Sequence, residues 1–180
     1  YMGTEAADSI SRDAIQIHGG LGFMADSEAG KLHNDAIITT IYEGTSEIQV
    51  SFALKEIGRG ALAVVFEGLE RELKTFDDPE LKQLADKVLV GMNLILDSAS
   101  ALLADFSYAL MSAQSLAEVV ASVIAGAELL RQAKADPRRR DLAASWINRR
   151  MVDLEGRCRR IKEGSKARLN RCDAMIALAE

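Results

Sequence analysis

The chain has 180 residues, of which 48% are hydrophobic and 5% aromatic, with two prolines and a formal net charge of −5 at pH 7. That length suits one domain with a sizeable apolar core, and low proline with abundant Ala, Leu, Glu, Lys and Arg favours helices. No apolar run reaches the roughly 18 uncharged residues that cross a bilayer, and no signal-peptide pattern opens the chain, so we expect a cytoplasmic protein, or a mitochondrial-matrix protein in a eukaryote.

Apolar residues recur at helical spacing along nearly the whole chain, which predicts an all-α fold. Capping residues and glycines divide the pattern into segments. The predicted segments are a helix over 4–18, a loop and short helix over 24–36 with Ser27 as cap, helical periodicity over 46–75 with a break at Gly58 and Gly60, a helix over 79–112 capped by Asp78, a helix over 115–135 opened by Ser115 and Glu118, and a last helix over 138–178 after Asp136 and Pro137.

Both cysteines, Cys158 and Cys172, lack a His or Cys partner at metal-ligand spacing, so we expect free thiols in a reducing compartment and no metal site. The chain begins with Tyr1 rather than Met, and a helical pattern starts almost at once. We therefore expect a fragment of a longer protein.

The stretch over residues 35–49 has the strongest chemical signal. An apolar run leads directly into Glu43, Gly44 follows, and Ser46 with Gln49 three residues later fits a capping box that opens a helix. This pattern places Glu43 on a loop before a helix N-terminus, where a carboxylate among apolar neighbours is a candidate base. Free backbone N–H groups at a helix N-terminus can bind an electron-rich group of a ligand. The alternative is that Glu43 is only a solvated residue that caps the helix.

A second candidate site covers the end of the first predicted helix, at Gln16, Ile17, His18, Gly19 and Gly20. The glycines predict a helix stop and a turn. Glycine also lets backbone N–H groups approach phosphate oxygens. No strand precedes the segment, so it is not a dinucleotide-binding fingerprint.

These two stretches together resemble the C-terminal domain of the acyl-CoA dehydrogenases, flavoenzymes that oxidise acyl-CoA thioesters. The matching motifs are Ala-Ile-Gln-Ile-His-Gly-Gly-Leu-Gly-Phe over 14–23 and Ile-Tyr-Glu-Gly-Thr-Ser-Glu-Ile-Gln over 41–49, in the family's order and spacing. The resemblance implies that residues 1–60 are part of the flavin- and substrate-binding domain and that residues 61–180 form an appended bundle of long helices. The specific match covers about a quarter of the chain.

The resemblance also implies roles for particular residues. Glu43 would be the base that takes the α-proton of the thioester while hydride passes to flavin N5, with Gly44 against the substrate and Tyr42 in the wall of the acyl pocket. Thr45, Ser46 and Glu47 would face the flavin, and residues 16–20 would touch the adenosine diphosphate part of FAD, often from a neighbouring subunit. FAD, an acyl-CoA, an electron-transfer flavoprotein and a homo-oligomer are the implied cofactor, substrate, partner and assembly, in fatty-acid β-oxidation.

One position departs from the family pattern, because Asn34 stands before Asp35 where an Arg is usual. We expect His33 to be exposed rather than catalytic, and His18 to be a loop or packing residue.

Charge is divided unevenly: residues 1–130 carry 8 basic and 20 acidic side chains, whereas residues 131–180 carry 14 basic and 7 acidic. The simpler interpretation is a solvated helix face whose cations pair with the acidic remainder of the chain. The more specific interpretation is a helix that binds a membrane surface. Interspersed acids and the lone aromatic Trp146 argue against a nucleic-acid partner. The competing function is an inactive helical module for oligomerisation or docking, of which a membrane-surface module is one form.

Overall fold

A computed structural model describes residues 1–177, apart from the side chains of residues 168 and 173, so the predicted ends at 178 and 180 lie outside the described residues. The chain separates into two compact units, Tyr1–Phe52 and Ala53–Glu180. Every regular element in residues 1–177 is helical, which confirms the all-α prediction. The helices are α1 Met2–His18, α2 Gly20–Phe23, α3 Glu28–Ile37, α4 Ser46–Gly58, α5 Ala61–Leu73, α6 Pro79–Leu102, α7 Phe106–Ala135, α8 Arg140–Glu163, α9 Ala167–Asn170 and α10 Cys172–Ala177.

The first unit is built on α1, which packs against α2 and α3. Ser27 caps α3 as predicted, because its hydroxyl oxygen accepts the N–H of Ala29 at 3.2 Å. A 3-10 turn, Ile38–Thr40, follows α3 and leads into the Glu43 loop. Few side chains in this unit are buried, and Val50 at 1% exposure is the most enclosed apolar residue among them.

The second unit is a bundle in which α6, α7 and α8 pack on one another and α5 packs on α6. Short connections make consecutive helices antiparallel, so α6 and α8 run parallel. The core residues at their shared interface are 0–1% exposed: Val88, Ile95, Val123, Leu130, Ile147 and Leu154. Gly91 allows close approach here, since a Cβ at this position would lie 2.9 Å from the Met151 sulfur.

The prediction of a single helix over 79–112 is wrong, because α6 ends at Leu102 and α7 begins at Phe106. Asp105 makes the break: its carboxylate accepts the Tyr108 N–H at 3.1 Å and caps α7. The Lys166 ammonium and this N–H lower the pKa of Asp105. Apolar residues continue through the break without Pro or Gly, so periodicity alone does not reveal it.

Two further boundaries differ from the prediction. Ser115 lies inside α7 rather than at its start. The last predicted helix ends at Glu163, where Gly164 follows, and the short helices α9 and α10 replace its final part. The break at Gly60, the cap at Asp78 and the break at Asp136–Pro137 are as predicted.

Cations from the basic C-terminal segment bind carboxylates on other helices of the bundle. The cross-helix pairs are Arg131 with Glu72 at 2.6 Å, Arg140 with Asp78 at 2.8 Å, Arg157 with Glu118 at 2.6 Å, and Lys162 with Asp97 at 3.3 Å. This is the pairing that the charge division predicts. Each exposed pair contributes only about 0–1 kcal/mol, so the apolar core supplies most of the stability of the bundle.

By length and composition alone α7 could cross a membrane, with a mean hydropathy of 1.4 in its most apolar window. However, 39% of that window is buried in the bundle. Core helices pass the same test, and the buried side of α7 includes Leu116, Val119 and Val123.

Replacing Gly91 by Leu should destabilise the second unit. The new side chain overpacks the α6–α8 contact, which costs about 1–3 kcal/mol. Gly156→Leu is the matched control, since a Cβ there meets nothing within 4 Å and the loss of a helical glycine gains up to about 1 kcal/mol. Urea unfolding monitored by Trp146, the single tryptophan, measures both. Equal stability of the two variants would contradict the close approach at Gly91.

The acid sensitivity of the bundle should depend partly on Asp78. The N–H of Leu81 and the Arg140 guanidinium lower the pKa of Asp78 below its ordinary value of 3.8. The ionised carboxylate therefore stabilises the fold above that value, and the contribution is lost as pH falls through the lower pKa of the folded state. We expect Asp78→Asn to lower Tm at about pH 7 and to lower it progressively less as the pH falls below 3.8. Exposed Asp77→Asn is the control, and a Tm difference independent of pH would refute the assignment.

Candidate functional site

The Glu43 loop has an unusual backbone. Tyr42 donates its N–H to the Ile38 carbonyl at 3.0 Å, and the chain then turns through Glu43 with φ of 57° and Gly44 with φ of 121°. Helix α4 starts at Ser46, so Glu43 lies on a loop just before a helix N-terminus, as predicted. Positive φ is natural for Gly44, but it costs energy for Glu43.

The Glu43 side chain is exposed and makes no hydrogen bond or ion pair with any group that the structure describes. Its apolar neighbours Ile41 and Tyr42 are themselves 53% and 54% exposed. The described part of the chain therefore does not form the apolar enclosure that the sequence suggested around this carboxylate.

Open backbone donors surround the same position. Within the described residues no acceptor is found for the N–H groups of Glu43, Gly44 and Thr45. The first N–H of the α4 ladder in this region belongs to Gln49, which donates to the Thr45 carbonyl at 3.0 Å. At such a position the carboxylate can take a proton, while the unsatisfied N–H groups beside it can donate hydrogen bonds to a carbonyl oxygen.

Two side chains hold the loop. The Gln49 amide donates to the Gly44 carbonyl at 2.9 Å, and the Ser46 hydroxyl donates to the carboxylate of Glu5 on α1. Ser46 and Gln49 therefore do not form the predicted capping box, because their side chains bind other groups. The helix nevertheless starts at Ser46, as the pattern predicts. Sequence reasoning missed Glu5, because nothing in the sequence marks a partner 41 residues away.

The glycine segment lies at the other end of α1. Gly19 ends the helix with φ of 60°, and a Cβ on Gly19 or Gly20 would meet nothing within 4 Å, so this backbone is open to a ligand. Gln16, Ile17 and His18 are exposed as well, and the His18 ring bonds the Ala14 carbonyl at 2.9 Å. A nearby glycine, Gly22, is instead a packing residue, since its Cβ would lie 2.6 Å from the Ile15 carbonyl oxygen.

The two candidate segments do not form one cluster. Glu5 contacts Ser46 at the start of α1, whereas His18 is the last residue of α1. Thirteen residues of α-helix separate those positions, which is about 20 Å. The segments can therefore touch two distant parts of one long ligand, or two different ligand molecules.

The prediction that His33 is exposed is wrong. Its side chain is 23% exposed and Nδ1 bonds the Ser11 hydroxyl at 3.0 Å, with Asp8 at 3.9 Å, so it helps to join α3 to α1. Asn34 and Asp35 are exposed on α3, and Thr45 and Glu47 are exposed at the start of α4.

The sequence profile described as "Acyl-CoA dehydrogenase, C-terminal domain" matches residues 1–58. The short-chain specific mitochondrial acyl-CoA dehydrogenase of Rattus norvegicus is 56% identical over 46 residues, 26% of this chain and 11% of that protein. A 3-(aryl)acrylate reductase of Clostridium sporogenes is 47% identical over 49 residues, covering 27% and 13%. An acryloyl-CoA reductase (NADH) of Anaerotignum propionicum is 44% identical over 54 residues, covering 30% and 14%.

A crystal structure of an acyl-CoA dehydrogenase with FAD from Bacillus anthracis superposes on 99% of this chain and 34% of its own, with a TM-score of 0.72 and 20% identity. At that identity the likeness concerns the fold alone, and it includes the long C-terminal helices. The predicted resemblance is therefore confirmed: residues 1–58 are related in sequence to the acyl-CoA dehydrogenase C-terminal domain, and a member of that family has the helical fold of this chain. The aligned segments span only 11–14% of the curated relatives.

Adding a methyl group to Gly44 should loosen the loop. Gly44→Ala forces a side chain into positive φ, with its Cβ 3.3 Å from Ile48, at a cost of about 1–3 kcal/mol. Gly60→Ala is the matched control, because Gly60 also has positive φ but its Cβ meets no atom within 4 Å. Hydrogen exchange of the full-length protein should accelerate over 41–49 in the first variant and over 57–63 in the second. Unchanged exchange over 41–49 in Gly44→Ala would exclude this loop conformation.

Proposed function

We propose that this chain is the C-terminal part of an FAD-dependent acyl-CoA dehydrogenase and that Glu43 is its proton-abstracting base. The observation that carries the proposal is the backbone of Glu43. A non-glycine residue in left-handed conformation costs on the order of 1 kcal/mol, and here the side chain makes no compensating contact within the described residues. Gly or Asn would suit a purely structural turn better, so a glutamate at this position is best explained by its chemistry.

Each residue of the loop has a definite task in this reaction. The Glu43 N–H holds the thioester oxygen, which stabilises the negative charge that develops there as the α-proton leaves. The Glu43 carboxylate oxygen takes that proton, and the positive end of the α4 dipole adds to the stabilisation. Gly44 lets the substrate approach the backbone, and Tyr42 forms part of the wall of the acyl site. The product is a trans-2-enoyl-CoA.

FAD fits the two open segments of the first unit. When bound, it accepts the hydride that leaves the β-carbon. In this proposal Thr45, Ser46 and Glu47 contact the flavin end of an FAD, and Gln16 to Gly20 bind FAD phosphates. The exposure of Thr45 and Glu47 and the open glycine backbone support these roles. The two segments lie at opposite ends of α1, about 20 Å apart, so they can serve different FAD molecules. We infer a homo-oligomer in which residues 16–20 contact the FAD of a neighbouring subunit. An electron-transfer flavoprotein is the proposed electron acceptor.

The same site also suits the reverse reaction. Two relatives are named as reductases of acrylate compounds, with 47% and 44% identity over the matched segment. In that direction Glu43, as a carboxylic acid, returns a proton to the α-carbon of an enoyl substrate. Dehydrogenation and enoyl reduction require the same loop geometry. The direction that the enzyme prefers is therefore measured by the experiments below.

The test is anaerobic bleaching of the flavin in the full-length protein by a panel of acyl-CoAs. Glu43→Gln should still bind acyl-CoA but bleach about 10²–10⁴ times more slowly, since it removes the general base. Glu56→Gln is the control, because Glu56 pairs with Arg59 and lies away from the loop. The reductase direction is tested by reoxidation of the reduced flavin with enoyl-CoAs.

Each outcome is informative. Equal bleaching by the wild type and Glu43→Gln would place the base elsewhere. A full-length protein that binds no flavin would instead favour an inactive helical module for oligomerisation or docking.

A further inference from the structure

The hydrogen bond between Ser46 and Glu5 is the starting point. It joins the first turn of α4 to the first turn of α1, and both side chains are partly buried. None of the cations whose side chains the structure describes pairs with Glu5, so its carboxylate can accept the hydroxyl proton. Hydrogen bonds to an ionised carboxylate are stronger than neutral ones, and a negative charge near the N-terminus of α4 is favourable.

A second bond completes the support of the loop. The Gln49 amide fixes the Gly44 carbonyl at 2.9 Å, and Glu5 fixes Ser46 two residues later. The open N–H groups of Glu43, Gly44 and Thr45 lie immediately before this pair of anchors. Their direction depends on a backbone that Glu43 does not adopt readily by itself.

We propose that Glu5 is a positioning residue for Glu43, acting through Ser46; this inference rests on the proposed function. Glu5 ties the start of α4 to α1 and so holds the loop in the conformation that aims the Glu43 N–H and carboxylate at one substrate. Glu5 also determines whether the Ser46 hydroxyl can act as a donor or as an acceptor towards a bound ligand. Because the hydroxyl proton is committed to Glu5, Ser46 faces a bound ligand as a hydrogen-bond acceptor, and its partner there is an N–H or O–H donor.

The competing explanation for Glu5 is a general one, because acidic residues in the first turn stabilise any helix through its dipole. The two roles respond differently to substitution. Glu5→Gln loses the charge but keeps an oxygen that accepts from Ser46, whereas Glu5→Ala loses both. Glu28→Ala is the matched control, since Glu28 is the first-turn acid of α3 and its carboxylate binds only exposed Lys31 in the described residues.

The first test is hydrogen exchange by mass spectrometry on the full-length protein, which requires no activity. Glu5→Ala and Ser46→Ala should each speed exchange over 41–49 by about fivefold to tenfold, the loss of one hydrogen bond. The double variant should be no faster than the single ones. Glu5→Gln, which keeps an acceptor but loses the charge, should speed exchange less than Glu5→Ala does, and Glu28→Ala should match the wild type over this segment. Unchanged exchange in Glu5→Ala would overturn the proposal. If Glu5→Ala does not fold, Glu5→Asp replaces it, because the shorter side chain should not reach Ser46. Unchanged exchange over 41–49 in Glu5→Asp would then overturn the proposal.

The second test is the rate of flavin bleaching by the best acyl-CoA. Glu5→Ala and Ser46→Ala should each slow bleaching by about tenfold with little change in the acyl-CoA dissociation constant, and the double variant should resemble the single ones. Glu5→Gln should restore most of the rate. Multiplicative losses in the double variant would show that Ser46 acts without Glu5 and would overturn the proposal. If no acyl-CoA or enoyl-CoA changes the flavin of the wild type, the proposed function fails, whereas the exchange result still decides whether Glu5 holds the loop.

Discussion

The left-handed turn at Glu43 and Gly44 is the constraint on which the candidate site depends. It reverses the chain between the 3-10 turn and α4. It leaves consecutive backbone N–H groups beside a carboxylate that has no partner in the described part of the chain. A glycine accepts this backbone without cost, but a glutamate does not. The surrounding bonds from Gln49 and Ser46 are therefore as much a part of the site as the carboxylate itself.

The described residues supply only part of the environment of that carboxylate. Ile41, Tyr42, Ile48 and Phe52 are each more than half exposed around the loop. Exposed apolar side chains in such number are unusual for a surface that faces only water. In the proposed enzyme the acyl chain, the flavin and the remaining domains cover them, and the water-excluded surroundings that strengthen the oxyanion contacts then come from outside the described residues.

Local signals in the sequence predicted what local interactions determine. The caps at Ser27 and Asp78 were visible because a cap lies within three residues of the N–H it binds. The start of α4 and the position of Glu43 on the preceding loop could also be predicted from the neighbouring residues. The break at Asp105 was missed because the apolar pattern continues through it, and a single aspartate is a weak signal. The Ser46–Glu5 bond could not be predicted, since it depends on how α1 and α4 meet in three dimensions.

Helix α1 also limits which changes in length this sequence can tolerate. One of its ends contacts Ser46 through Glu5 and the other carries the open glycines. A single inserted or deleted residue between them would turn one end relative to the other by about 100° and shift it by about 1.5 Å. The glycine segment would then no longer have its present position and direction relative to Glu5 and the Glu43 loop. Among homologues of this chain, gaps should therefore be found in the loops rather than within residues 5–18.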